Sequence, residues 1–258
     1  MHNAALEALG LDWVYVPFDV NPDPVNVEEA LAGLRALGLV GVNVTIPLKE
    51  AVLPYTIVSE EAARTGSVNT IHNRDGKLYG YSTDGAGFLR ALEAAGQPTE
   101  GRQVLLLGAG GSARAVSFAL ASRGCRCQIA NRTEARASAL ADDVNRRFPE
   151  AATVTGWGAE ADEFDLLVNT TTMGMQPNEE AAPALPPNAF AGKPFVYDLI
   201  YVPTQTRLLA AAAAAGCETM NGVGMLVWQG ALALAIWTGR PLEEVPVAEM
   251  EAAVRATL

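Results

Sequence analysis

An α/β protein of two domains is predicted by three features of the sequence. Apolar, β-rich runs alternate with helical patterns almost throughout, which implies parallel sheets flanked by helices. At 258 residues the chain is long for one simple domain and ample for two of about 100–150 residues. A break at Gly96 and Pro98 is followed by a strand, a glycine-rich turn and a helix, as at the start of a new unit.

Taken in order, the first β-rich run is Trp13–Val20. Asn26 then serves as N-cap to a helix over Val27–Leu37, closed by Gly38. Val40–Ile46 reads as a strand cut by Pro47. Val68–His72 and Lys77–Tyr81 flank Asn-Arg-Asp-Gly and form a hairpin, with glycine supplying the turn. A helix over Gly85–Ala95 leads to the break. The alternation resumes with strand Val104–Leu107, helix Gly111–Arg123, strand Cys125–Ala130 and helix Thr133–Arg147. Strands Leu166–Asn169 and Phe195–Leu199 follow, separated by a loop holding Pro177, Pro183, Pro186 and Pro187. Helix Thr204–Ala215, a short strand Glu218–Asn221 and helices Gly224–Ile236 and Ala248–Thr257 complete the chain.

Composition narrows the function. Eighteen basic against 29 acidic residues give a formal charge of −11 and a pI near 4.7, which argues against a nucleic-acid partner, since phosphate backbones need a basic face. A small anionic substrate remains compatible, because a few local cations suffice. Cys125, Cys127 and Cys217 are odd in number and lack CxxC spacing, which fits reduced thiols in a cytoplasmic protein. His2 and His72 belong to no metal-ligand spacing, so no metal is expected and a proton donor is sought elsewhere. The longest apolar stretch, Met225–Trp237, is interrupted by Gln229 and falls short of the roughly 18 residues a membrane span requires.

The glycine turn carries the first specific chemistry. In "VLLLGAGGSARAV" a strand runs into Gly108-Ala109-Gly110 and a helix opens at Gly111, so Gly-x-Gly-x-x-Ala stands in the strand–turn–helix setting that a dinucleotide requires. Gly108 permits the turn, Gly110 admits a pyrophosphate, Ala113 keeps the helix near the sheet, and the free N–H groups of the helix start face the anion. This pattern marks a Rossmann domain. At the end of the next strand, where NAD-binding chains place an acid, the sequence reads "IANRTEAR". Arg132 and Arg136 suit a 2′-phosphate, and Asn131 and Thr133 can hydrogen-bond it, so NADP is preferred over NAD. Arg136 fits a solvated helix position equally well.

Three further residues lie at segment ends, where α/β folds gather their chemistry. They are Lys49 in "GVNVTIPLKE", Asn69 in "GSVNT" and Asp84 in "GYSTDGAG". Their plain readings are a surface lysine, a strand-end amide and an N-cap. Together with "HNAALEALGLD", "GAGGSARA", "NRT", "NTTTMGM", "YDLIYVPTQT" and "NGVGMLVWQG", these motifs resemble the shikimate dehydrogenase family in order and spacing over nearly the whole chain.

The resemblance implies that Lys49 is the catalytic lysine and Asp84 its partner. It implies substrate contacts from Thr45, Asn69, Tyr201 and Gln229. The cofactor loops would be Gly108, Ala109, Gly110, Gly111 and Ser112 with Asn131, Arg132, Thr133 and Arg136, and Leu199 and Gly222 would lie near the nicotinamide. The implied activity is NADPH-dependent reduction of 3-dehydroshikimate to shikimate by a cytoplasmic enzyme, a monomer or homodimer without nucleic-acid or membrane partners. Hydride transfer to a ketone leaves a developing alkoxide, for which a lysine ammonium supplies a proton or a charge.

The expected organisation is a discontinuous substrate domain, residues 1–84 and 223–258, around a Rossmann NADP domain of residues 85–222. Two departures from the family pattern stand out. Ser82-Thr83-Asp84 replaces Asn-Thr-Asp, and the chain opens past the family's first strand and its Ser-x-Ser-Pro loop. The 258-residue chain is therefore expected to lack that strand and both carboxylate-binding serines. Two readings stand beside the main one: a quinate/shikimate dehydrogenase of relaxed specificity, and a truncated, catalytically impaired NADP-binding chain.

Overall fold

The computed structural model describes all residues, 1–258. The chain divides into two compact units, Met1–Gly87 with Val227–Val254 and Phe88–Leu226 with Arg255–Leu258.

The first unit opens with helices α1 (His2–Ala8) and α2 (Pro24–Ala36), then strands β1 (Gly41–Asn43) and β2 (Ile57–Val58), helix α3 (Glu60–Thr65), strands β3 (Thr70–Arg74) and β4 (Lys77–Tyr81), and helix α4 (Asp84–Ala94). Its sheet runs β1-β3-β4-β2. β3 is antiparallel to β1 and β4, and β2 is parallel to β4. Arg74 pairs with Lys77, so Asp75-Gly76 is a two-residue hairpin loop, and both residues have positive φ (52° and 80°). That is the backbone a type I′ turn demands, which explains Asp-Gly at this position. One face of α2, Val27, Leu31 and Leu34 at helical spacing, packs with Val44, Val52, Val68, Ile71 and Leu78.

Two expectations fail in this unit. α2 starts a turn early: Pro24 occupies its first position and Asp23, not Asn26, is the N-cap, accepting from Val25 N at 2.9 Å. Residues 13–20 form no strand. Trp13, Val14, Val16 and Phe18 are exposed. The Tyr15 backbone bonds the Asn3 amide instead, with Tyr15 N donating to Asn3 Oδ1 at 2.7 Å and Asn3 Nδ2 donating to Tyr15 O at 3.0 Å. A β-rich run becomes a strand only when a neighbour takes its N–H and C=O groups, and β1, at the sheet edge, pairs with β3 alone. The short β2 and α3 were not expected. α3 is held by the Ser59 N-cap and by Gly66 in the left-handed region.

The second unit contains the rest of α4, then β5 (Gln103–Leu107), α5 (Gly111–Ala121), β6 (Arg126–Ala130), α6 (Glu134–Arg147), β7 (Ala152–Thr155), β8 (Leu166–Asn169), β9 (Phe195–Asp198), α7 (Arg207–Ala214) and β10 (Thr219–Met220). Helices α8 (Val223–Thr238) and α9 (Val247–Arg255) follow, the chain returning to the first unit from Val227 to Val254. Every pairing in this sheet is parallel, in the order β10-β9-β8-β5-β6-β7. This is the doubly wound Rossmann order, and its direction reverses between β5 and β8, where such sheets open a crevice at their carboxyl ends. β5, β6, β8 and β9 are buried along nearly their full length, as a sheet covered on both faces requires. β7, unassigned from sequence, is half exposed at the sheet edge. α7 begins at Arg207 with Thr206 as N-cap, later than the expected Thr204. No helix is long and apolar enough to cross a membrane.

Candidate active site

In the first unit Lys49 lies in the turn that follows β1 and is stapled to the β3 side by its own carbonyl, which accepts from Val68 N at 2.9 Å. Asn69 is fixed on both sides: Val44 N donates to its carbonyl at 2.8 Å, and its own N–H donates to Tyr81 O at 3.0 Å. Asp84 is the first residue of α4, so Thr83 is the N-cap, and Thr83 O accepts the first helical bond from Gly87 N. Three separate segments thus meet because backbone hydrogen bonds tie their ends together.

The side chains complete a connected cluster. Lys49 Nζ lies 2.6 Å from Asp84 Oδ2, with side chains 22% and 10% exposed. The other carboxylate oxygen accepts from Asn69 Nδ2 at 2.8 Å. Asn69 Nδ2 also approaches Thr83 Oγ1 at 2.9 Å and, more loosely, Gln229 Oε1 at 3.4 Å. Asn69 Oδ1 accepts from Thr83 N at 2.9 Å, and Thr83 Oγ1 donates to Gln229 O at 3.0 Å. Gln229 reaches the cluster because Gly87 leaves room: a Cβ there would stand 2.7 Å from Gln229 N and 2.9 Å from its Cα.

The structure therefore brings Lys49, Asn69, Asp84 and Gln229 together. Thr45 is exposed on the same turn as Lys49, where its carbonyl accepts from Leu48 N, and it makes no hydrogen bond to the cluster. Tyr201 lies in the second unit, exposed on the loop that leaves β9. Thr83 and Gly87 escaped the sequence reading. A threonine directly before the first helical residue was the available signal for Thr83; the closeness of α4 to Gln229, which makes Gly87 necessary, has no local signature.

In the second unit Gly108 has φ of 111°, and a Cβ there would collide with Thr170 Oγ1, so only glycine fits. Gly110 and Gly111 face open space. Gly110 caps α5 with no side chain, leaving the N–H groups of Gly111, Ser112 and Ala113 without helical partners. These features fit a dinucleotide pyrophosphate. At the β6 end, Asn131 Nδ2 donates to Thr133 O at 2.8 Å and shapes the turn. Arg132 and Arg136 are both exposed beside it and neither is in an ion pair, as a 2′-phosphate site needs. Leu199 and Gly222 meet: a Cβ at Gly222 would overlap the Leu199 carbonyl.

Comparison with known proteins identifies the family. Family profiles described as the shikimate dehydrogenase substrate binding domain, shikimate/quinate 5-dehydrogenase and the shikimate 5′-dehydrogenase C-terminal domain match residues 1–71, 91–185 and 222–255. A shikimate dehydrogenase (NADP(+)) from Moorella thermoacetica is 48% identical over 265 residues, which span 100% of this chain and 88% of the relative. A crystal structure of a shikimate dehydrogenase with NADP+ superposes with a TM-score of 0.92 at 40% identity, covering 99% of this chain and 89% of the other. The Thermus thermophilus shikimate 5-dehydrogenase, solved with NADP(H) and shikimate, gives a TM-score of 0.89 at 40% identity, covering 100% and 93%. With this identity along its whole length, the chain belongs to the shikimate dehydrogenase family.

Proposed function

We infer that this chain is an NADP-dependent oxidoreductase that reduces 3-dehydroshikimate to shikimate, reversibly, with NADPH. The observation that carries the reading is the Lys49–Asp84 pair, joined at 2.6 Å and braced by Asn69. NADPH, when bound, supplies the hydride. Lys49 holds its ammonium proton on Nζ and gives it to the substrate oxygen as negative charge develops there. Asp84 fixes the direction of that ammonium through Oδ2, and Asn69 fixes Asp84 through Oδ1. Thr45, Asn69, Tyr201 and Gln229 are assigned to the hydroxyls and carboxylate of the substrate.

In this reading residues 1–84 and 223–258 form the substrate domain and 85–222 the NADP domain. Gly108, Ala109, Gly110, Gly111 and Ser112 receive the pyrophosphate. Asn131, Arg132, Thr133 and Arg136 receive the 2′-phosphate, and Leu199 and Gly222 flank the nicotinamide. The enzyme is assigned to the cytoplasm, as a monomer or homodimer. The test follows NADPH oxidation with 3-dehydroshikimate, with NADH and 3-dehydroquinate in parallel. Turnover should be fastest with NADPH and 3-dehydroshikimate, and no turnover with any pair would refute the assignment.

A further inference from the structure

The second unit buries a carboxylate for which the reaction has no use. Asp198, the last residue of β9, is fully buried and has no cation in contact. Burial pushes its pKa up, opposed by hydrogen bonds from Thr206, Ile200 and Asn169. Oδ1 accepts from Asn169 Nδ2 at 2.9 Å and from Ile200 N at 3.1 Å, and Oδ2 accepts from Thr206 Oγ1 at 2.6 Å. Asn169, also fully buried, ends β8, and its Oδ1 accepts from Thr171 N and Thr171 Oγ1 at 3.0 and 2.8 Å. Thr206 in turn caps α7. A single polar hub thus holds the exit loops of β8 and β9 and the start of α7. Burying a charge without a cation is costly, and an apolar residue with a different loop would fill the space without that cost. The hub must therefore do something that packing alone does not.

The bond to Ile200 N indicates what that is. In a trans peptide the N–H and C=O point in opposite directions. By taking the Ile200 N–H, Asp198 sets the Leu199 carbonyl to the opposite side of the peptide, towards Gly222. On the far side of that carbonyl stands Gly222, with no room for a side chain, and Gly222 N donates to Ile200 O at 2.9 Å. The Leu199–Ile200 peptide is thus held through its N–H by Asp198 and the following peptide through its carbonyl by Gly222, while the Leu199 oxygen receives no hydrogen bond from the chain.

We propose that Asp198, with Asn169 and Thr206, is a positioning residue that aims the Leu199 carbonyl and so orders the nicotinamide end of the NADP site. This rests on the cofactor reading above. The hub acts on one half of the cofactor site. The glycine turn and Arg132 stand on other strand ends, β5 and β6; the glycine turn meets the β8 exit loop at Thr170, whose N–H and hydroxyl bond Leu107 O and not the hub.

The test compares binding of NADPH with that of adenosine 2′,5′-bisphosphate, which lacks the nicotinamide half, by calorimetry on the full chain. Asp198→Ala should weaken NADPH about tenfold or more, the loss expected for hydrogen bonds to a charged acceptor. It should leave adenosine 2′,5′-bisphosphate within about twofold, a split that a merely structural residue would not produce. Thr206→Val should show the same split more weakly, and Thr206→Ser, which keeps the hydroxyl, should restore NADPH affinity. If Asp198→Ala does not fold, the two Thr206 variants decide. Equal weakening of both ligands, or no change in either, would overturn the hub. A wild-type chain that binds neither ligand would overturn the cofactor reading, and the hub with it.

Discussion

Two aspartates set the two units apart. Asp84 is buried beside a cation, with Lys49 Nζ on one oxygen and an amide on the other. Asp198 is buried more deeply with three neutral donors and no cation. A carboxylate paired with an ammonium can pass the effect of a proton to a substrate, because its partner carries the proton. A carboxylate held only by neutral donors can fix backbone but has no proton of a neighbouring cation to direct. The first unit thus buries its carboxylate against an ammonium, and the second buries one against neutral donors that include backbone.

The largest expected effect separates these roles. Lys49→Ala removes the cation from Asp84 and should lower kcat by about 10²–10⁴-fold, while NADPH affinity, measured by calorimetry, stays within about twofold of wild type. Loss of NADPH binding in that variant would erase the distinction between the units.

Acid should distinguish them next. His2 is buried between Tyr15 and Trp237, ring centroids 4.3 and 5.4 Å away, and its ring nitrogens have no hydrogen-bond partner. Burial first, and the positive chain start second, lower its pKa from 6.5 to about 4. Asn43 opposes this shift weakly, since its amide is committed to Asn69 O and Thr70 Oγ1 and its oxygen to Tyr15. Below pH 6.5 the unfolded chain takes up a proton that the folded chain refuses until about 4. The His2 contribution is therefore complete above 6.5, falls as pH drops towards 4, and is level below that. The loss amounts to at most about 3 kcal/mol. Asp198 acts in the opposite sense, because its raised pKa makes the folded state hold a proton that the unfolded state has released. Urea unfolding at pH 7 and pH 4.5 should show a smaller acid loss for His2→Phe than for wild type. An unchanged slope would exclude His2 as its source.

A smaller change belongs to the second unit alone. Arg132→Ala should weaken NADPH by about 10–100-fold, the worth of hydrogen bonds to a charged phosphate, and leave NADH nearly unaffected. Equal losses would make Arg132 structural. The smallest belongs to the first unit. Gly87→Ala places a methyl group 2.7 Å from the Gln229 backbone nitrogen, so the backbone of α4 or of Gln229 must move apart. We expect KM for 3-dehydroshikimate to rise about 3–10-fold, as overpacking at a binding group would cause, with NADPH affinity preserved. Steady-state kinetics in both substrates checks it.

What the sequence determined by itself is whatever a few adjacent residues control. Gly108 and Gly110 announced the dinucleotide turn because a positive φ and a close backbone approach are local demands. Asp75-Gly76 announced its hairpin for the same reason, and the alternation of buried strands with helices announced the parallel sheet. Lys49, Asn69 and Asp84 were legible as strand and helix ends, and the family resemblance gave them roles. Tertiary structure decided the rest. Residues 13–20 have the composition of a strand but form none, since a strand is a property of two segments and no second backbone pairs with this run, which bonds the Asn3 side chain instead. Asn69 and Gln229 meet across 160 positions, and the need for glycine at position 87 arises only from that meeting. Asp198 reads in sequence as an ordinary strand-end acid; its burial, its lack of a cation and its grip on Ile200 come from β8, β9 and α7 closing around it. Turn chemistry is written in neighbouring residues, whereas the environment of a charge depends on which distant segments exclude water from it.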